Sequence, residues 1–113
     1  MGAKRKTKNH HRPKLRRKTV NGKPRWVMEK ITAVKNDVVT WTAPPQTDIA
    51  IWFPPGRDPL QVGTTILRSG ESLTKFVQGV RKKLAKGHYY YSVFCFSDGT
   101  MAEGGSSPEM IVE

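Results

Sequence analysis

The chain has 113 residues, 20 Lys/Arg against 9 Asp/Glu, a formal net charge of +11 and one cysteine. That length fits one small domain with a single core. The lone Cys95 excludes an intrachain disulfide, and no run approaches the ~20 apolar residues of a membrane-spanning helix.

The charge is unevenly placed. Residues 1–28 hold eleven Lys/Arg and no acid, whereas residues 29–113 hold nine of each. The leader contains Lys4, Arg5, Lys6, Lys8, Arg12, Lys14, Arg16, Arg17 and Lys18, and no aromatic residue precedes Trp26. Like charges repel and little apolar surface is available to bury, so the composition predicts a disordered basic arm over residues 1–25 and a folded domain over 26–113. His10-His11 lack a neighbouring acid or thiol in sequence and read as solvated arm residues. Met1-Gly2 hints at myristoylation, but Lys6 stands where Ser or Thr is expected. No apolar signal segment follows the basic start. The expectation is a soluble, cytoplasmic monomer without a transmembrane segment.

Val20-Asn21-Gly22-Lys23-Pro24 reads as a hinge, because Asn-Gly and Pro are turn formers. Trp26 and Met28 alternate as in a strand. After the Asn36-Asp37 turn, Val38–Thr42 is a β-branched strand with Val39 and Trp41 on one face. Pro44-Pro45 stops it. Ile49–Phe53 is apolar on both faces and reads as a central strand; Trp52 and Phe53 are core or a docking surface. Pro54-Pro55-Gly56 ends it, and residues 57–63 are a loop. Thr64–Leu67 and Leu73–Val77 are short strands around a Gly70-Glu71 turn. Val80–Lys86 is a helical turn or a loop, and its Arg81, Lys82, Lys83 and Lys86 extend the basic patch. Gly87 opens the longest strand, with Tyr89, Tyr91, Val93 and Cys95 on one face and Tyr90, Ser92, Phe94 and Phe96 on the other. A Gly/Ser-rich loop then leads to a closing strand, Met110–Val112. Six or seven short strands without a helix predict an all-β, two-sheet sandwich.

Catalytic signals are absent. Cys95 has no neighbouring base; His88 lies seven residues back, roughly 23 Å at strand rise. Asp98 and Glu103 would raise its thiol pKa. Asp48 and Asp58 form no acid pair, and Glu103–Ser106 lacks the Lys and helix of a phosphate loop. We read the chain as non-enzymatic, with no catalytic residue.

The order of signals from Val34 onward resembles the cupredoxin family, of the plastocyanin and azurin type. Val34–Trp41 resembles its "Gly-Asp-x-Val-x-Trp" strand. Gly87–Cys95 resembles its "Gly-x-Tyr-x-Tyr…Cys" strand, and Gly104…Met110-Ile111-Val112 its closing segment. The resemblance covers roughly residues 29–113 and implies an all-β antiparallel Greek-key sandwich. In copper-bearing members two His and one Cys hold the ion with an axial Met. Here Gln46–Ala50 and Phe96–Thr100 contain no His, leaving Cys95, Met101 and His88 as weak candidates and predicting no cofactor.

The arm carries the functional reading. Its cations, with Arg81, Lys82 and Lys83, can neutralise consecutive phosphates and release counterions. With no aromatic interleaved, base readout is not encoded there. The expectation is a small binding module with an unidentified protein partner, whose arm associates weakly and without sequence preference with RNA or DNA. An anionic membrane surface is a further polyanion the arm suits. The alternatives are copper handling or electron transfer, and thiol redox sensing by Cys95.

Overall fold

A computed structural model describes residues 9–77, 86–102 and 108–113. Lys4, Arg5, Lys6, Lys8, Arg81, Lys82, Lys83 and Glu103 lie outside the described residues.

The period-two alternation of apolar residues produces strands. In chain order these are β1 (His10–His11), β2 (Leu15–Val20), β3 (Lys23–Met28), β4 (Ile31–Ala33), β5 (Val38–Thr42) and β6 (Ile49–Trp52). They are followed by β7 (Thr64–Leu67), β8 (Ser72–Phe76), β9 (Gly87–Tyr90), β10 (Ser92–Cys95), β11 (Thr100–Met101) and β12 (Glu109–Val112). The described residues contain no helix.

The ladders run β1-β5-β8, β11-β10-β6-β7, β4-β12-β9 and β2-β3. β9 and β10 are nearly continuous, so one run of chain serves two sheets. Inward residues from β3 through β12 form one core containing Trp26, Met28, Val39, Trp41, Ile51, Phe53, Tyr91, Val93, Cys95 and Met110. Trp41 packs edge-on to Phe53 and Tyr91, while Phe53 stacks on Tyr91 at 4.7 Å. The Trp41 indole N–H donates to the Tyr91 hydroxyl at 3.2 Å, and burial pushes the Tyr91 phenol well above its ordinary pKa. The all-β sandwich is therefore as expected. β6 is central as read; Trp52 at its end is exposed, and Phe53, the next residue, is buried.

Three expectations are corrected. Two ladders are parallel, β1 with β5 and β4 with β12, so the sandwich is mixed. Both parallel pairs join segments distant in sequence, as parallel pairing requires.

The expectation of disorder through residue 25 is corrected for residues 9–25. Residues 10–11 pair with Val38-Val39, and β2 pairs with β3 from Leu15↔Met28 to Val20↔Lys23. The boundary drawn between residues 25 and 26 falls inside β3.

Val20–Pro24 is not a hinge. Asn21 and Gly22 have φ of 52° and 78°, the conformation of a tight two-residue hairpin turn whose twist matches the flanking strands.

Candidate polyanion-binding site

The leader is built by alternation. His11, Pro13 and Leu15 turn toward the body, whereas Arg12, Lys14 and Arg16 are exposed. Inward contacts fix the register. His11 Nε2 lies 2.8 Å from Asp37 Oδ2, and His10 Nε2 lies 2.7 Å from Thr40 Oγ1. The Val38 amide donates to the Asn9 carbonyl at 2.9 Å. The two histidines are thus structural partners of β5 and its preceding turn. Their reading as solvated arm residues is corrected, because the fold supplies the carboxylate that the local sequence lacks.

Asp37 anchors this junction. Burial raises its pKa, but hydrogen bonds from His11 and from the Val34 and Asn9 amides, with the charge of His11, outweigh that and leave it lowered.

The hairpin is pinned further along. The Arg17 guanidinium lies 5.2 Å from the Trp26 ring centroid and donates to Asp98 Oδ2 at 2.6 Å. Asp98 sits in the turn between β10 and β11, so the basic hairpin rests against that corner of the body. The Trp26 indole nitrogen is buried without a partner among the described residues.

Arg12, Lys14 and Arg16 line an open cleft of about 300 Å³ together with Thr40, Thr42 and Pro44 of the body. No carboxylate lines it among the described residues. Several acids are engaged elsewhere. Asp58 accepts the Val62 and Gly63 amides at 2.8 and 2.7 Å, Asp48 accepts the Ser69 amide at 2.9 Å, and Glu71 accepts the Arg68 amide at 2.8 Å. Glu29 accepts the Lys14 amide at 3.0 Å. Arg12, Lys14, Arg16 and Lys18 have no carboxylate partner among the described residues. The cleft therefore presents three cations beside two threonines, with the Glu29 carboxylate held at the Lys14 amide.

The sequence reading identified these cations but missed their order. The missed signals are the alternation of His11, Pro13 and Leu15 with basic residues, and Asn21-Gly22 spaced to return β3 onto them.

The copper candidates are not brought together. Cys95 points into the core and is fully buried, while Met101 is exposed and pairs with Phe94, the neighbour of Cys95 that faces outward. His88 lies at the opposite end of the β9–β10 run, where its Nδ1 pairs with the Glu109 carboxylate and holds that group's pKa down. Burial pushes the Cys95 thiol up to about 11, with Asp98 adding to the shift and Arg17 opposing it.

The ladders and their common core define an all-β sandwich bearing a basic hairpin. No family model and no curated protein matches the chain. Solved structures that match include an oxidized Met-to-Lys mutant of amicyanin, 14% identical over 74% of this chain and 69% of that one, with a TM-score of 0.45. A Met-to-Ala mutant of amicyanin with Cu(I) is 11% identical over 94% of this chain and 82% of that one, with a TM-score of 0.48. Among the described residues no group of three His, Cys, Asp or Glu converges. Cys95 has Ile49 and Thr100 as ladder partners. No described helix is long and apolar enough to cross a membrane.

Proposed function

We propose that this protein is a non-enzymatic binding module whose ordered basic leader associates with the phosphate backbone of nucleic acid. The carrying observation is the row Arg12, Lys14, Arg16 along one edge of an acid-free cleft. Alternate residues of an extended chain stand about 6.6 Å apart on one side, so the three cations can follow an extended polyanion. Their register is fixed by the inward contacts of His10, His11 and Arg17, which reduces the side-chain and backbone order lost on binding. Lys18 extends the row, and the exposed Thr42 adds a hydroxyl that can bond a phosphate oxygen.

Binding is expected to be strongly salt-dependent, because each neutralised phosphate releases counterion. For a single strand, log K falls by about 0.7 per contacted phosphate against log salt. Substituting Arg12, Lys14 and Arg16 together by Ala should make that slope shallower by about two. Anisotropy titrations with a labelled oligonucleotide across salt provide the test. An unchanged slope and affinity would remove this cleft from the function.

A further inference from the structure

The sheet β11-β10-β6-β7 has an outer face that the core does not use. Its inner residues Ile49, Ile51, Val93 and Cys95 are all 0% exposed. On the other face, Trp52 is 43%, Ile66 61%, Phe96 48% and Met101 49% exposed. The register aligns them: Met101↔Phe94, Phe94↔Ala50 and Ala50↔Ile66 make one cross-strand row. Trp52 stands one row away opposite Ser92, and Phe96 follows Phe94 on the other side, edge-on to it at 5.2 Å. Successive rows are about 6.6 Å apart at strand rise. Three aromatic rings therefore cross the face in consecutive rows.

The basic hairpin touches the edge of this sheet at the turn between β10 and β11. Asp98, two residues after Phe96, is the residue that Arg17 grips at 2.6 Å. An aromatic strip and a cationic strand thus meet at one corner of a molecule with a net charge of +11. A neutral apolar partner would match the strip and leave the cations unanswered. Unpaired nucleotides match both, because bases present flat faces to aromatic rings while their phosphates need cations.

We propose that the outer face of β11-β10-β6-β7 is a stacking platform for a single-stranded nucleic acid, with Trp52, Phe94 and Phe96 as base contacts. The proposal rests on the phosphate-binding reading above and narrows it from any polyanion to a strand with unpaired bases. The leader lacks aromatic residues of its own, and the fold places them beside it. Duplexes keep their bases stacked internally and can use the cationic cleft alone.

The test uses the full chain with fluorescein-labelled oligouridine and a duplex of the same length. Trp52→Ala and Phe96→Ala alter exposed side chains, and thermal melting checks that both variants fold. Each should weaken oligouridine binding roughly fivefold to a hundredfold, leave duplex binding unchanged and keep the salt slope. In the wild-type protein, oligouridine should also quench tryptophan emission from Trp52, since Trp26 and Trp41 are 3% and 0% exposed. Equal affinity of the variants for oligouridine, without quenching in the wild type, overturns the platform; a cleft-dependent salt slope would then leave the phosphate reading standing. If oligouridine and the duplex both fail to bind, both readings fall. If either aromatic variant converts a dimer to a monomer in sedimentation without changing oligouridine affinity, the face is a self-association surface and the platform is overturned.

Discussion

Asp37 shows how much one side chain organises here. Its carboxylate accepts from the Val34 amide at 3.1 Å and the Asn9 amide at 3.3 Å while meeting His11 at 2.8 Å. It therefore closes the turn before β5 and fastens the leader to it. Asp37→Ala leaves amides and an imidazole without their acceptor, and should cost about 2 kcal/mol or more in urea unfolding at pH 7. The pH dependence has a definite sign. The folded-state pKa lies below the ordinary 3.8, so the stabilisation is complete above the unfolded pKa and is lost as pH falls through the folded value. Wild type should lose stability on acidification below about pH 4, and the gap to Asp37→Ala should narrow there. A gap constant down to pH 2 would show that Asp37 is not ionised in this role. At Cys95 the same physics acts in reverse. A fully buried thiol with its pKa raised to about 11 lacks the thiolate character of a redox sensor.

At the scale of elements, the body was legible in the sequence because its strands are punctuated by Pro, Gly and Asn. Thr64–Leu67 is β7 with the expected bounds, and Val39 and Trp41 share the buried face of β5. Tyr89, Tyr91, Val93 and Cys95 are all buried, as the alternation required, although the strand breaks at Tyr91. The leader was not legible by charge counting. Residues 9–20 are ordered by contacts far along the chain, namely Asp37, Thr40 and Asp98, and composition carries no information on such partners. The parallel pairing of β12 with β4 was hidden for the same reason, since nothing local to either strand encodes it. The aromatic strip was only half visible: the Tyr90, Ser92, Phe94 and Phe96 face was assigned, but its continuation through Ala50, Ile66 and Met101 depends on register. Hydrogen exchange tests the leader directly. The Glu29 and Val38 amides donate to the Lys14 and Asn9 carbonyls and should exchange slowly in the full chain. Removing residues 1–22 should speed both; equally fast exchange in the two proteins would show that the leader does not dock.

For the whole molecule, the division of charge is the governing fact. Asp37, Asp48, Asp58 and Glu71 accept backbone amides and hold turns and loops in shape. Three of the 20 cations, Arg12, Lys14 and Arg16, are displayed along one cleft. The fold converts a compositional bias into a surface with position and direction, and that placement is the central claim. Amide shift mapping tests it most directly, by adding an unlabelled oligonucleotide to the isotope-labelled full chain at low salt. The account predicts that the largest perturbations fall on residues 12–18 and on Thr40 and Thr42, and fade as salt is raised. Saturable binding that leaves those amides unmoved would contradict it.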